Sequence, residues 1–115
     1  MSEIFHVLRS DQFDKKFLDE LYAITNNLRK ISRTKRGADY LRKLMSEKRA
    51  MLYFTQPSTR TFLSFLNACQ ILGMQTSEIR DSNTSSEMKG ETAEDAIRTF
   101  SSYVDMIIMR SPKAG

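Results

Sequence analysis

The sequence of 115 residues has one cysteine, one histidine, two prolines and no tryptophan. Because Cys69 cannot form an internal disulfide, a reducing compartment such as the cytoplasm is expected. His6 is the only histidine, and a packing or hydrogen-bonding role is favoured over a catalytic one. No apolar run approaches the ~18 residues of a membrane span, and the first residues lack a signal-peptide pattern. We therefore expect no membrane association.

Positive charge is in slight excess, with a formal net charge of +4, and it is unevenly placed. Nine lysines and arginines lie between Arg29 and Arg49 (residues 29, 30, 33, 35, 36, 42, 43, 48 and 49), against Asp39 and Glu47. Such a stretch can attract nucleic acid. Only Tyr40 among the aromatic residues is interleaved with it, however, so a base-stacking surface is not supported. A solvated helix face, or a field that draws in an anionic substrate, is favoured over nucleic-acid binding.

Apolar residues at helical spacing predict two helices in the first part of the chain. The first runs from Phe13 to Ile31, about five turns, with Ser10 and Asp11 as candidate N-caps. Gly37 is predicted to break the pattern, and a shorter helix follows around Tyr40–Met45.

Strands and helices alternate in the rest of the chain. The predicted elements are a buried strand at Ala50–Phe54, a helix from Phe62 that Gly73 stops, a weaker strand at Met74–Asp81 that is either at an edge or partly exposed, a surface loop at Ser82–Gly90, a helix with apolar residues from Ala93 to Tyr103, and a second buried strand at Val104–Met109. This order predicts an α/β fold, a parallel sheet with flanking helices.

The turn at Ser58–Thr61 is the strongest candidate site. Pro57 disfavours helix at Gln56, so the turn lies where a strand ends and a helix begins. Free backbone N–H groups, hydroxyls and the Arg60 guanidinium would suit the oxygens of a phosphate. The alternative is that Ser58 is only an N-cap and Arg60 a solvated charge. Arg110 ends another predicted strand and is expected to reach the same crevice beyond the carboxyl ends of the strands, which favours the phosphate site.

Three ordered motifs containing these residues resemble the carbamoyl-phosphate domain of the carbamoyltransferases. They are Phe54-x-x-Pro57-Ser58-Thr59-Arg60-Thr61-x-x-Ser64-Phe65-x-x-Ala68 with Leu72-Gly73, then Asp81-Ser82-x-Thr84-Ser85 with Lys89-Gly90-Glu91-Thr92 and Asp95, and Tyr103-Val104-Asp105-x-Ile107-x-Met109-Arg110-x-Pro112. Pro57 and the Lys-Gly-Glu-Thr run resemble the aspartate branch of the family more than the ornithine branch.

The resemblance implies transfer of the carbamoyl group from carbamoyl phosphate to L-aspartate, giving N-carbamoyl-L-aspartate and phosphate in pyrimidine biosynthesis, without a metal or an organic cofactor. By the same resemblance, Ser58, Thr59, Arg60 and Thr61 would hold the phosphate, and Thr61 and Arg110 would reach the carbonyl oxygen. Arg60, Thr61 and Arg110 are then the expected catalytic residues. Ser85 and Lys89 would serve the site of a neighbouring subunit in a homotrimer.

The sequence also departs from the family pattern. Family members usually have a basic residue at Phe62, often a lysine at Met88, and a histidine at Ser111. The family's acceptor-binding half, which would follow Gly115, is absent. We therefore expect residues 1–115 to form one incomplete carbamoyl-phosphate-binding domain that is not active alone. The chain would be a truncated form, part of a longer chain, or a relic that serves as a non-catalytic anion-binding or subunit-interaction module.

Overall fold

A computed structural model describes residues 6–80 and 93–112 and divides the chain into two compact units, residues 1–38 and 39–115. After a 3-10 turn at Ser10–Gln12, the elements are α1 (Lys15–Ile31), α2 (Lys35–Leu44), β1 (Arg49–Phe54), α3 (Thr59–Ile71), β2 (Gln75–Ile79), α4 (Ala93–Ser101) and β3 (Met106–Arg110). The alternation of strands and helices confirms the predicted α/β architecture. In the described ranges, no helix is long and apolar enough to cross a bilayer.

Three parallel strands form the sheet in the order β2-β1-β3. β1 is central and its residues from Ala50 to Phe54 are all buried, as its unbroken apolar sequence predicts. Asp105 ties β1 to the start of β3: its N–H donates to the Arg49 carbonyl, and its carboxylate accepts the Arg49 N–H, both at 2.9 Å. The register of β1 and β3 is therefore set at their first residues.

Alternate residues of β1 build two separate cores, because successive side chains of a strand point to opposite faces. On one face, Leu52 and Phe54 pack with Phe62 and Cys69 of α3. On the other face, Met51 and Tyr53 pack with residues 96 and 100 of α4. α3 and α4 thus cover opposite faces of the sheet.

Gly73 ends α3, as predicted. Its φ of 82° is in the left-handed region, and its N–H donates to the Gln70 carbonyl at 3.1 Å. The N–H of Met74 donates to the Cys69 carbonyl at 2.9 Å, which completes a Schellman motif. A Cβ at Gly73 would also lie 1.7 Å from the Arg42 carbonyl oxygen. The residue is fixed as glycine both by its backbone angle and by the close approach of α2.

Two predictions about the first unit are wrong. α1 is capped by Asp14, whose carboxylate accepts the Phe17 N–H at 2.8 Å, and not by Ser10 or Asp11, which lie in the preceding 3-10 turn. Gly37 does not break a helix, because it lies inside α2. The break is at residues 32–34, and a Cβ at Gly37 would lie 1.9 Å from the Ile31 carbonyl oxygen. Close packing, and not helix termination, explains this glycine.

Burial differs from prediction at β3 and in α3. β3 was expected to be buried, but Met106 and Met109 are exposed. In the described sheet, β3 pairs with β1 alone and lies at an edge, which accounts for its exposure. Phe65 falls at helical spacing with Phe62, Cys69 and Leu72, which predicts that it is buried, but it is 42% exposed. The buried face of α3 instead follows Phe62, Leu66 and Cys69. β2 lies at the other edge of the described sheet and is partly exposed, as its polar sequence predicts.

Candidate functional site

The turn after β1 presents the start of α3 at the carboxyl edge of the sheet. Ser58 occupies the N-cap position in an extended conformation, but its side chain makes no capping hydrogen bond. The first helical bond is from the Phe62 N–H to the Ser58 carbonyl, at 3.0 Å. The N–H groups of residues 59–61 therefore have no partner within the helix. Because the hydroxyl of Ser58 does not bond to them, the alternative of a simple side-chain cap is not supported.

These amides lie among polar side chains. Thr59 and Arg60 are exposed, whereas Ser58 and Thr61 are half-buried. The positive end of the α3 dipole adds to the field at this point. Hydroxyls, free N–H groups and a guanidinium in four consecutive residues provide hydrogen-bond donors suited to an anion with several oxygens.

Arg110 lies at the same edge of the sheet. It is the last residue of β3 and pairs with Phe54, the last residue of β1. The N–H of Thr55 donates to the Arg110 carbonyl at 3.0 Å, which fixes the backbone there. The expectation that Ser58–Thr61 and Arg110 reach one crevice is therefore met only in that both lie at the same edge of the sheet.

A cleft of about 520 Å³ opens beside this turn, and we call it the edge cleft. The edge cleft is lined by Phe54, Thr55, Gln56, Pro57, Ser58, Thr59, Phe62 and Arg80. Of the predicted phosphate residues, it contains Ser58 and Thr59 but not Arg60, Thr61 or Arg110. It adds Arg80, which sequence reasoning missed. The only available signal was that Arg80 directly follows a predicted edge strand.

The wall of the edge cleft is continuous with the core. Phe54 and Phe62 are each 2% exposed, and their rings meet edge to face with centroids 5.3 Å apart. The guanidinium carbon of Arg80 lies 4.1 Å from the Phe62 ring centroid. Buried aromatic side chains thus connect the end of β1, the first turn of α3 and the residue that follows β2.

Other features of the described residues offer fewer groups that could bind a ligand or react. A shallow depression on the surface of α1 is lined by five residues of that helix alone, with charges of both signs. Cys69 is buried in the core, and this burial raises the pKa of its thiol. Within residues 6–80 and 93–112, no three His, Cys, Asp or Glu side chains form a metal-binding group. Ser85 and Lys89 lie outside the described residues.

The fold and the edge cleft define a parallel α/β domain with hydrogen-bond donors suited to an anion at the carboxyl ends of its strands. The model of the family "aspartate/ornithine carbamoyltransferase, carbamoyl-P binding domain" matches residues 6–115. The chain belongs to this family, and the resemblance found in the sequence motifs is confirmed.

Similar proteins are named aspartate carbamoyltransferases. The catalytic subunit from Methanothrix thermoacetophila is 36% identical over 110 residues, which are 96% of this chain and 34% of the relative. The chloroplastic protein of Arabidopsis thaliana is 34% identical over 114 residues, covering 98% of this chain and 28% of the relative. The chain thus spans about a third of the length of the curated relatives it matches.

Solved structures agree. The catalytic subunit of M. jannaschii aspartate transcarbamoylase has a TM-score of 0.76 at 34% identity, covering 96% of this chain and 36% of that one. The aspartate transcarbamoylase of Trypanosoma cruzi in complex with carbamoyl phosphate has a TM-score of 0.75 at 32% identity, covering 93% of this chain and 32% of that one. The predicted fold, the carbamoyl-phosphate half of the carbamoyltransferase fold, is therefore confirmed.

Proposed function

We propose that this chain supplies the carbamoyl-phosphate half of an aspartate carbamoyltransferase. The complete protein would transfer the carbamoyl group of carbamoyl phosphate to L-aspartate, giving N-carbamoyl-L-aspartate and phosphate, a step of pyrimidine biosynthesis. The observation that carries the proposal is the turn at Ser58–Thr61, with three amides free of helix partners at the sheet's carboxyl edge. Relatives solved with carbamoyl phosphate, and with aspartate and phosphate, support the choice of ligands.

In the proposed reaction, the amino nitrogen of aspartate attacks the carbonyl carbon of carbamoyl phosphate. A C–N bond forms, the C–O bond to the phosphate breaks, the amine loses a proton, and inorganic phosphate leaves. Negative charge develops on the carbonyl oxygen and on the leaving phosphate. Fixed donors aimed at these oxygens stabilise that charge without needing to reorganise, so positioning and positive charge are the main contributions of this chain.

Each residue has a proposed role. Ser58, Thr59, Arg60 and Thr61 bind the phosphate, with the α3 dipole adding to the attraction. Thr61 and Arg110 polarise the carbonyl oxygen. Because Arg60, Thr61 and Arg110 lie outside the lining of the edge cleft, we propose that the ligand extends from this cleft over the first turn of α3.

The remaining proposals concern organisation. Residues 1–115 would act as one carbamoyl-phosphate-binding domain, with the complete protein a cytoplasmic homotrimer. Ser85 and Lys89 would then complete the site of the adjacent protomer. Their position in the sequence motifs that resemble the family supports this assignment.

Substitution of Arg60 tests the proposed function. Its guanidinium can form two parallel hydrogen bonds to phosphate, whereas a lysine keeps the charge but loses the planar fork. In the complete protein, we predict that Arg60→Ala and Arg60→Lys each cost about 2–4 kcal/mol of transition-state stabilisation, by analogy with deletion of a preorganised donor. The measurement is the ratio of kcat/KM for wild type and variant, with circular dichroism to verify the fold.

Arg98→Ala is the matched control, because it removes an arginine from the exposed surface of α4 and should leave kcat/KM unchanged. Normal turnover and phosphate affinity in Arg60→Ala would contradict the proposed site. Tight binding of phosphate by a complete protein that transfers no carbamoyl group would favour the non-catalytic anion-binding alternative.

A further inference from the structure

Arg80 lies at the mouth of the candidate phosphate site, although no sequence motif includes it. It directly follows β2, whose last residue, Ile79, pairs with Tyr53 of the central strand. Arg80 therefore reaches the same carboxyl edge as the turn after β1. Its side chain lines the edge cleft together with Ser58 and Thr59. The cleft thus contains a guanidinium from the residue that follows β2, besides the hydroxyls of the turn.

The ring of Phe62 holds this guanidinium in place. The Arg80 guanidinium carbon lies 4.1 Å from the ring centroid, a cation–π distance. Phe62 is itself fixed, since it is 2% exposed and packs edge to face on Phe54. An arginine that lies on such a ring loses less side-chain freedom when it binds a ligand than one that extends freely into solvent.

The ring contact leaves the donors of Arg80 available. The five N–H groups of a guanidinium lie in its plane, and contact with an aromatic face uses none of them. The ion pairs found in the described ranges are Arg9–Asp11, Lys15–Asp19 and Arg42–Asp39, so no described carboxylate neutralises Arg80. A structural salt bridge among these residues does not explain its position.

We propose that Arg80 is a phosphate-binding residue of the carbamoyl phosphate site, with Phe62 as the residue that positions it. The inference rests on the proposed function and adds to it a cation from β2, on the opposite side of β1 from Arg110. The ligand class is a phosphate group, and inorganic phosphate is the simplest probe because it requires no acceptor amine.

The direct test compares Arg80→Gln with Arg98→Gln in the complete protein by isothermal titration calorimetry with inorganic phosphate and with carbamoyl phosphate. Loss of a charge-assisted hydrogen bond should weaken both affinities about tenfold or more in Arg80→Gln. Arg98→Gln removes the same charge from α4 and should change them by less than about twofold, because distant exposed charges are screened. Unchanged phosphate affinity in Arg80→Gln would overturn the proposal, as would an effect confined to the KM for aspartate.

Arg60→Ala separates this inference from the function on which it rests. If Arg60→Ala abolishes phosphate binding while Arg80→Gln leaves it intact, the proposed function stands and the role of Arg80 is refuted. If the wild-type protein binds neither inorganic phosphate nor carbamoyl phosphate, both fail. Weakening by both variants, with an unchanged circular dichroism spectrum, is the expected result.

The positioning role of Phe62 requires a double-mutant cycle. Phe62→Leu keeps an apolar side chain but removes the aromatic face, so phosphate affinity should fall about threefold to tenfold when Arg80 is present. In the Arg80→Gln background, the same change should have little further effect, since no guanidinium remains to be positioned. Equal losses in the two backgrounds would indicate that Phe62 acts only by packing, and its positioning role would be rejected. Thermal unfolding of each variant verifies that it is folded at the assay temperature.

Discussion

Gly73 connects α3 to the rest of the second unit through two independent constraints. Its left-handed φ is unfavourable for a residue with a Cβ, and the Arg42 carbonyl leaves no space for one. The N–H of Met45 also donates to the Leu72 carbonyl at 2.9 Å, so α2 and the end of α3 contact each other here. A substitution at Gly73 must move one of these segments.

We predict that Gly73→Ala lowers the free energy of unfolding by more than about 2 kcal/mol, because the strain of a left-handed alanine adds to the clash with α2. Urea denaturation followed by circular dichroism measures the change. Gln70→Ala, at an exposed position in the same helix, should stay within about 0.5 kcal/mol of wild type. If Gly73→Ala lowered the free energy of unfolding as little as Gln70→Ala, α2 would have to move away from residue 73 without an energetic cost.

Gly73 and Gly37 show how far the role of a single glycine can be predicted from the sequence. Gly73 was predicted correctly, since it follows an apolar helical repeat and precedes a strand. Gly37 was misread as a break, because its reason lies in the close approach of the Ile31 carbonyl. The close approach of the Ile31 backbone to Gly37 depends on how the chain folds between α1 and α2. The pattern of apolar residues near Gly37 does not reveal it.

At the scale of elements, the start of α1 depends on Asp14. The carboxylate satisfies the Phe17 N–H, one of the donors that the first turn leaves free. We predict that Asp14→Ala destabilises α1 by about 1 kcal/mol, whereas Asp14→Asn retains most of the cap. Thermal unfolding followed by far-ultraviolet circular dichroism measures the loss. Ser10→Ala is the control, and an equal effect there would show that the preceding turn, not Asp14, determines where α1 begins.

Most elements could be predicted because their signals are local. The apolar run of β1, the helical repeat of α3 and Pro57 before the turn each act over a few residues. The exposure of Met106 and Met109 could not be predicted, because it depends on which strands lie beside β3. Arg80 was missed for the same reason: its place beside Ser58 follows from the pairing of β2 with β1.

At the scale of the whole molecule, the proposed trimer makes a prediction about mixing. If Ser85 and Lys89 act in the site of the adjacent protomer, each site takes Arg60 from one protomer and Lys89 from its neighbour. Arg60→Ala and Lys89→Ala then remove residues that different protomers supply to the same site. Mixed trimers of the complete protein should then recover activity, up to about a quarter of the wild-type sites for random assembly around a closed ring. The measurement is kcat per site after dissociation, mixing and reassembly.

Arg60→Ala mixed with Ser58→Ala is the matched control. Both changes lie in the same turn of one protomer, so no reassembled site regains both residues and activity should stay low. No recovery in either mixture would mean that each site is built from a single chain.

The edge-to-face contact of Phe54 with Phe62 has a consequence for local unfolding of the protein. These rings join the two ends of the segment that contains the candidate phosphate turn, and both belong to the buried core. The turn cannot separate from β1 without breaking that core, so the ligand site and the sheet should open as one cooperative unit. Amide hydrogens of Phe54 and Phe62 should then exchange with solvent at one common rate, set by the opening of the core as a whole.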